Sequence, residues 1–351
     1  MARTFHTIPT RAGFVSEPLA GNGLAFHDAQ TNTISRFFSK NDTPLFVSVV
    51  VPVWNDAERL SGCLRALEAQ TYPDHSYEVI VVDNNSTYAT VEATVEVAQV
   101  VSSFAHARLI HESTPGSYAA RNTGVANARG EIIAFTDSDC VPARDWIERG
   151  VGHLVALKGN CAVVAGRIEI FPRLAKQPNA VEQYEVLISL AQKEFVKKYN
   201  FGATANLFTF RQVFAKVGTF LAEVKSGGDL EWGRRVIDYG FRLDYSEDAR
   251  VFHPARASFT QLYSKIVRVT GGLHDLKRLR GRAYLQFDRS VFMDLLPPVR
   301  AIANILREPS IIRWRDRIKV CTVLCFVRFV QAFEKSRLAF PKLWNSHTTT
   351  R

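Results

Sequence analysis

Residues 46–53 form an almost unbroken β-branched run that closes on Pro52 and Val53. Such a run predicts a strand covered on both faces, as in a parallel sheet flanked by helices. Leu60, Cys63, Leu64 and Leu67 then recur at i, i+3, i+4 and i+7, behind Asn55 and Asp56 as capping candidates. That spacing predicts a helix with one apolar face. Residues 77–82 read as a second strand, which stops at the polar turn Asp83-Asn84-Asn85-Ser86. Residues 108–111 read as a short third strand, and 117–128 as a helix ending at Gly130. Residues 131–136 are the fourth strand, and it stops at Asp137-Ser138-Asp139. Strand and helix alternate with short loops, which predicts an α/β fold with a mostly parallel central sheet. Ligands of such sheets gather at the carboxyl ends of the strands. Residues 52–55, 83–86 and 137–139 all fall at that edge, so three polar clusters converge there.

The flanks differ from this body. Residues 1–44 are polar and show no sustained period, as expected of an N-terminal arm. The body is placed at 45–256, in two halves, 45–140 and 141–256, with a basic amphipathic helical tail at 257–351. The composition, 46% hydrophobic and 22% charged, is that of a globular chain with a sizeable core. The net charge of +10 is unevenly spread. From Ala255 onward there are 19 Lys/Arg against 6 Asp/Glu, or +13; the remainder has 44 − 19 = 25 basic and 34 − 6 = 28 acidic residues, or −3. The basic character therefore describes a partner of the tail and not the pocket.

Basic residues of the tail include Arg256, Lys265, Arg268, Lys277, Arg278, Arg280 and Arg282. Further on, residues 311–333 mix Arg313, Arg315, Arg317 and Lys319 with an apolar block broken by Arg328. The block is too short and too charged to span a bilayer. It fits a helix lying at an anionic membrane surface with Phe326, Phe329 and Phe333 toward lipid. It equally fits a helical appendage with an ordinary basic face. Regular aromatic interleaving is absent, so no nucleic-acid partner is expected. Five scattered cysteines without metal-ligand spacing, and no basic-then-apolar leader, point to a reducing compartment. The expected location is cytoplasmic, peripheral at the inner face of the cell membrane.

Chemistry enters at the strand ends. Two carboxylates separated by one small residue, as in Asp137-Ser138-Asp139, can converge on a hard cation. Such a cation would be useful if the ligand carried a diphosphate, whose charge it would offset as a bond to it breaks. Asp229 follows Gly227-Gly228, whose small residues let the backbone turn tightly and approach a ligand closely. A carboxylate there suits a general base, although the first turn of a helix favours Asp229 and Glu231 even without a function.

Several ordered motifs resemble those of family 2 glycosyltransferases with the GT-A fold, a nucleotide-sugar-binding architecture. They are Val49-Val50-Val51-Pro52-Val53-Trp54-Asn55, Val81-Val82-Asp83-Asn84-Asn85-Ser86-Thr87, and Gly116-Ser117-Tyr118-Ala119-Ala120-Arg121-Asn122-Thr123-Gly124. Ala128-Arg129-Gly130-Glu131, Phe135-Thr136-Asp137-Ser138-Asp139 and Gly227-Gly228-Asp229-Leu230-Glu231-Trp232-Gly233-Arg234-Arg235 continue the likeness, which covers roughly positions 46–256.

The resemblance implies an inverting transfer from a nucleoside-diphosphate-sugar donor to a hydroxyl of a glycan or lipid-linked acceptor. A divalent metal, Mn²⁺ or Mg²⁺, would assist, with Asp229 as the catalytic base. On the donor side it places Pro52, Val53, Asn55, Asp83, Asn84, Ser86, Gly116, Arg121, Asp137 and Ser138. Asp139 would bind the metal directly, and Asp137 would hold the donor ribose or reach the metal through water. Arg121 falls near the phosphates and equally suits a salt bridge to a strand-end Asp. Asn84 stands where relatives often carry an Asp that reads uracil.

On the acceptor side the resemblance places Asn206, Gly228, Glu231 and Trp232. Trp232 suits either a stacked sugar or the core, and Asn206 either the acceptor pocket or a buried turn. His253 is either a metal ligand or a hydrogen-bonded histidine at a strand end. Arg235 reads as a structural partner for an acidic residue. The rival function is a nucleotide-sugar-binding or membrane-surface scaffold protein without turnover.

Overall fold

The structure is a computed structural model that describes residues 44–86, 91–157, 161–175, 177–188, 191–279 and 294–340. Almost all of the expected N-terminal arm, and Arg280 and Arg282 of the tail, lie outside these residues. The described residues divide into two compact units, one holding those within 44–170 and 191–254, the other those within 171–188 and 255–340.

In chain order the elements begin with β1 (Val47–Val53), α1 (Ala57–Glu68), β2 (Tyr77–Asp83), α2 (Val91–Ser102), β3 (Ala107–His111), α3 (Ser117–Ala126) and β4 (Ile132–Thr136). Next come β5 (Val141–Pro142), α4 (Trp146–Ala156), β6 (Cys161–Phe171), α5 (Ala180–Ile188) and α6 (Gln192–Tyr199). The body closes with β7 (Asn206–Phe210), α7 (Arg211–Val217), α8 (Gly228–Asp238) and β8 (Arg242–Pro254). Three helices follow: α9 (Phe259–Leu279), α10 (Val299–Leu306) and α11 (Trp314–Ala339).

The eight strands form one sheet in the order β3-β2-β1-β4-β7-β6-β8-β5. The parallel half joins β1 to β2 and β4, and β2 to β3. Its central strands β1 and β4 are mostly apolar because both faces are covered: Val47, Val49, Val50, Val51, Ile132, Ile133, Ala134 and Phe135 have no exposed surface. The α/β alternation read from the sequence is present here. Beyond β4 the pairing turns antiparallel, with Thr136 opposite Asn206 and Val163 opposite Thr209. Helix α3 lies close on β1 because Gly124 has no side chain; a Cβ there would come within 2.4 Å of Val50 Cγ1. Asp56 precedes α1 but makes no side-chain cap bond, and it pairs with Arg59 instead. Helix α2 was not legible in the sequence, where its Val and Thr content mimics a strand.

The second unit packs α5, α9, α10 and α11 around Val181, Tyr184, Leu262, Ile266, Ile305, Val320, Val323 and Val327. Several basic residues of the tail are spent inside it. Buried Glu185 pairs with Arg256 and Lys265 at 2.8 Å each. Buried Asp294 pairs with Arg328 at 2.7 Å and Lys335 at 2.5 Å. The basic face expected of this segment is thus partly a set of internal counter-ions. Phe326 also departs from the lipid-facing expectation, because its ring packs edge-on against Phe259 at 4.9 Å. Among the described residues no helix is long and apolar enough to cross a membrane.

Candidate active site

The parallel strands deliver their last residues to one edge, with Val53 opposite Asp83 and Asp83 opposite His111. Asp83 is buried; its Oδ1 accepts from the Ser86 hydroxyl and its Oδ2 lies 3.3 Å from His111 Nδ1. The Ser86 hydroxyl accepts in turn from the Asn55 backbone N–H at 3.0 Å. Asn55 holds a left-handed conformation, φ 51°, which asparagine tolerates better than most residues.

Asn84, expected on the donor side where relatives often carry a base-reading Asp, has its side chain engaged within the protein. Its amide donates to Glu112 O and Thr114 O, at 3.2 and 2.7 Å, and accepts from Gly116 N at 2.6 Å. Every polar atom of the side chain is used to tie the two loops together, so the side chain is a brace and not a base reader.

The fourth strand ends in a denser cluster. Arg121, buried on α3, places Nη2 2.6 Å from Asp137 Oδ1. Ligand atoms of Asp137, Asp139, Cys140 and His253 all lie within 4.8 Å of one another. His253 donates from Nδ1 to Pro254 O at 2.8 Å, because a carbonyl can only accept. The neutral ring therefore carries its lone pair on Nε2, which lies 3.8 Å from Asp139 Oδ1.

Burial lifts the Asp139 carboxyl above its ordinary range; Asp137 adds to the rise, while His253 in its protonated form and Arg59 oppose it. Two close carboxylates and an imidazole lone pair form a donor set that suits a divalent cation. Cys140 was read as a scattered cysteine without ligand spacing, yet its buried sulfur belongs to this group. Its thiol is held well above the usual range by burial, with Asp137 and Asp139 reinforcing the effect. Arg59 reaches the same carboxylate from α1, 3.6 Å from Asp139 Oδ2. Ser138 is buried between the two acids.

Asp229 sits in the first turn of α8, just after Gly227 at φ 83°. Its Oδ1 accepts from Tyr118 Oη at 3.1 Å and from Leu230 N at 2.9 Å. Burial raises its carboxyl above the ordinary range, against the pull of Arg121. Arg121 lies over the Tyr118 ring, 5.5 Å from its centroid. Asp137, Arg121, Tyr118 and Asp229 thus form one continuous chain of contacts. Gly228 makes it possible, since a Cβ there would come 2.8 Å from the Tyr118 ring.

Three acceptor-side expectations are corrected. Trp232 is buried, stacks on Phe214 at 4.8 Å and donates from Nε1 to Gly218 O, so it is core and cannot stack on a sugar. Asn206 is fully buried; its Oδ1 accepts from Trp146 Nε1 and its Nδ2 donates to Arg167 O and Ala249 O. No polar atom of that amide remains for an acceptor. Both oxygens of Glu231 accept from Arg235 Nε at 2.8 and 3.0 Å, while Arg235 also donates to Val217 O and Thr219 O. Glu231 therefore anchors Arg235, the structural partnership expected of that arginine.

The family model described as Glycosyl transferase family 2 matches residues 48–218. Glycosyltransferase AglE of Haloferax volcanii is 39% identical over 230 residues, 65% of this chain and 72% of that protein. The chain belongs to glycosyltransferase family 2. The Pre-mycofactocin glycosyltransferase of Mycobacterium tuberculosis is 32% identical over 230 residues, but the match covers 45% of its length. Among solved structures, the mannosyltransferase PcManGT of Pyrobaculum calidifontis, in complex with GDP-Man and Mn²⁺, superposes with TM-score 0.54 at 20% identity. That match covers 86% of this chain and 93% of the other, and it places this glycosyltransferase in the GT-A fold.

Tyr118, Arg59 and Cys140 are the site neighbours of this glycosyltransferase that sequence reasoning missed. Tyr118 lies within a matched motif, where its ring passes for core. Arg59 lies on the polar face of an ordinary amphipathic helix. Neither carries a local signal for what it touches.

Proposed function

We propose that this glycosyltransferase moves a sugar, with inversion, from a nucleoside-diphosphate donor to a hydroxyl of a glycan or lipid-linked acceptor at an anionic membrane surface. An α-linked donor would give a β-linked product. The observation that carries the reading is the continuous chain from the Asp137–Asp139–His253 group through Arg121 and Tyr118 to Asp229. It sets a candidate cation site and a candidate base on two sides of one linked cluster.

Asp139, Asp137 and His253 would hold the divalent cation, and an imidazole in that set favours Mn²⁺ over Mg²⁺. When bound, the ion offsets the charge of the departing diphosphate. Asp83 and Ser86 line the turn for ribose and base, while Arg121 fixes Asp137. Asp229 takes the proton of the acceptor hydroxyl as its oxygen bonds to the anomeric carbon. The bond from that carbon to the diphosphate breaks, and the nucleoside diphosphate leaves with the electron pair. Tyr118 orients the base by donating to Oδ1, the oxygen that also accepts from Leu230 N. Burial helps here, because a raised carboxyl is a stronger base once ionised.

A thermal-shift panel of uridine and guanosine nucleotide sugars, with Mn²⁺ or with chelator, tests this reading alongside release of nucleoside diphosphate. PcManGT of the same fold binds a guanosine donor with Mn²⁺, which supports including that class. One donor should stabilise the protein in Mn²⁺ and lose most of that effect in chelator. Binding without any release of nucleoside diphosphate in the presence of acceptor would favour the scaffold reading.

A further inference from the structure

Helix α11 is apolar on two opposite sides. Val320, Val323, Leu324, Val327 and Val330 face the core of their unit. At 100° per residue, positions 314, 318, 322, 325 and 329 fall within an arc of roughly 80°, about 180° from the core-facing set. They are Trp314, Ile318, Thr322, Cys325 and Phe329, all exposed. Trp314 is 60% exposed and Phe329 62%, and Ile312 just before the helix is 90% exposed. A second apolar stripe, opposite the one that faces the core, is surface that the unit leaves uncovered from Trp314 to Phe329.

The surroundings of the stripe identify its occupant. Arg313, Arg315 and Lys319 flank it, all exposed. Asp316 is the only acid between residues 311 and 333, and it lies toward Lys319 at 3.4 Å. Arg317 is turned away, holding Leu306 O, Glu308 O and Ile311 O, so the Ile312 turn is fixed to the start of the helix. Two copies meeting stripe to stripe would bring these like charges together. An anionic membrane surface accepts both features, the cations at the headgroups and the apolar ring and branched side chains below them. Tryptophan is favoured at that depth.

We propose that the outward stripe of α11, from Ile312 to Phe329, is the surface by which the enzyme docks on an anionic membrane. The proposal rests on the membrane-surface part of the function above, and it moves the contact from Phe326 to Trp314 and Ile318.

The test is sedimentation of the full chain with phosphatidylcholine vesicles and with vesicles containing phosphatidylglycerol. The wild type should pellet with the anionic vesicles only and be released by high salt. Ile318→Glu with Phe329→Glu should weaken that binding at least about tenfold while the melting temperature stays unchanged, because both side chains point into solvent. Wild type remaining in solution with anionic vesicles overturns the proposal, as does a double variant that pellets like wild type. A wild-type dimer in solution that the double variant splits also overturns it, since the stripe would then serve a second copy. Release of nucleoside diphosphate, measured without vesicles, reads the catalytic function separately. If it persists while docking fails, only the docking surface is lost.

Discussion

Glu78 and Asp139, at opposite edges of the parallel sheet, meet opposite surroundings. At the amino-terminal edge, Glu78 of β2 accepts from the Ser48 hydroxyl at 2.7 Å and the Arg129 N–H at 2.9 Å. The guanidiniums of Arg108 and Arg129 add further bonds. Burial alone would raise its carboxyl, but those donors together hold it below the ordinary range. At the carboxyl-terminal edge, Asp139 lies beside another carboxylate, and burial leaves it raised. Asp229 across the cluster is raised as well. A buried carboxylate that meets enough donors stabilises the fold. One left short of donors is available to bind a cation or take a proton.

The contrast breaks first at Asp229. Asp229→Asn should lower turnover by about 10²–10⁴-fold, the usual contribution of a positioned base, with donor affinity kept within a few-fold. Retained turnover would remove Asp229 from the chemistry and leave it with the dipole of its helix.

Glu78→Ala should do the reverse. It leaves the buried Ser48 hydroxyl and the Arg129 N–H short of a partner, while the exposed Arg108 and Arg129 guanidiniums turn to water. The cost should be roughly 1–3 kcal/mol in denaturant unfolding, without changing donor binding. Its pH signature has a definite sign. The folded carboxyl lies below its unfolded value, so its stabilisation is present above the unfolded value and is lost as pH falls through the folded one.

Smaller effects sharpen the picture. Asn84→Asp should cost roughly 2 kcal/mol, because a carboxylate cannot donate to Glu112 O and Thr114 O. A variant of equal stability that gains uridine affinity would restore the base-reading role. At saturating Mn²⁺, the acidic limb of turnover should lie above the ordinary aspartate value of about 3.9. The active form is the ionised one, so activity disappears as pH falls through the raised value. Tyr118→Phe removes a bond that favours that ionised form, and the limb should move upward by less than about one pH unit. A limb that does not move would separate Tyr118 from the base.

What the sequence made legible follows from how local each signal is. The β-branched run at 47–53 and the Asp137-Ser138-Asp139 turn carry their meaning within a few residues, and their strands and edge were readable. His253 was readable as a candidate, but the tautomer that aims Nε2 at Asp139 depends on a carbonyl and a fold. The antiparallel half was not assigned, since its pairing depends on which strand returns beside β4. Trp232 and Asn206 show the opposite difficulty. An indole or amide beside a site motif is chemically suited to a sugar, and only packing shows that Gly218 O and Trp146 have already taken it. In the tail, charge was legible but not its use, because Glu185 and Asp294 are distant in sequence from the cations they bury.

Titration of the full chain with Mn²⁺, followed by the resonance of the free ion, tests the central contrast most directly. Wild type and Glu78→Gln should each bind one ion at the strand-end cluster, and Asp139→Ala should lose that site while staying folded. Equal binding by Asp139→Ala and wild type would contradict the account, because the under-donated carboxylate would then hold no cation.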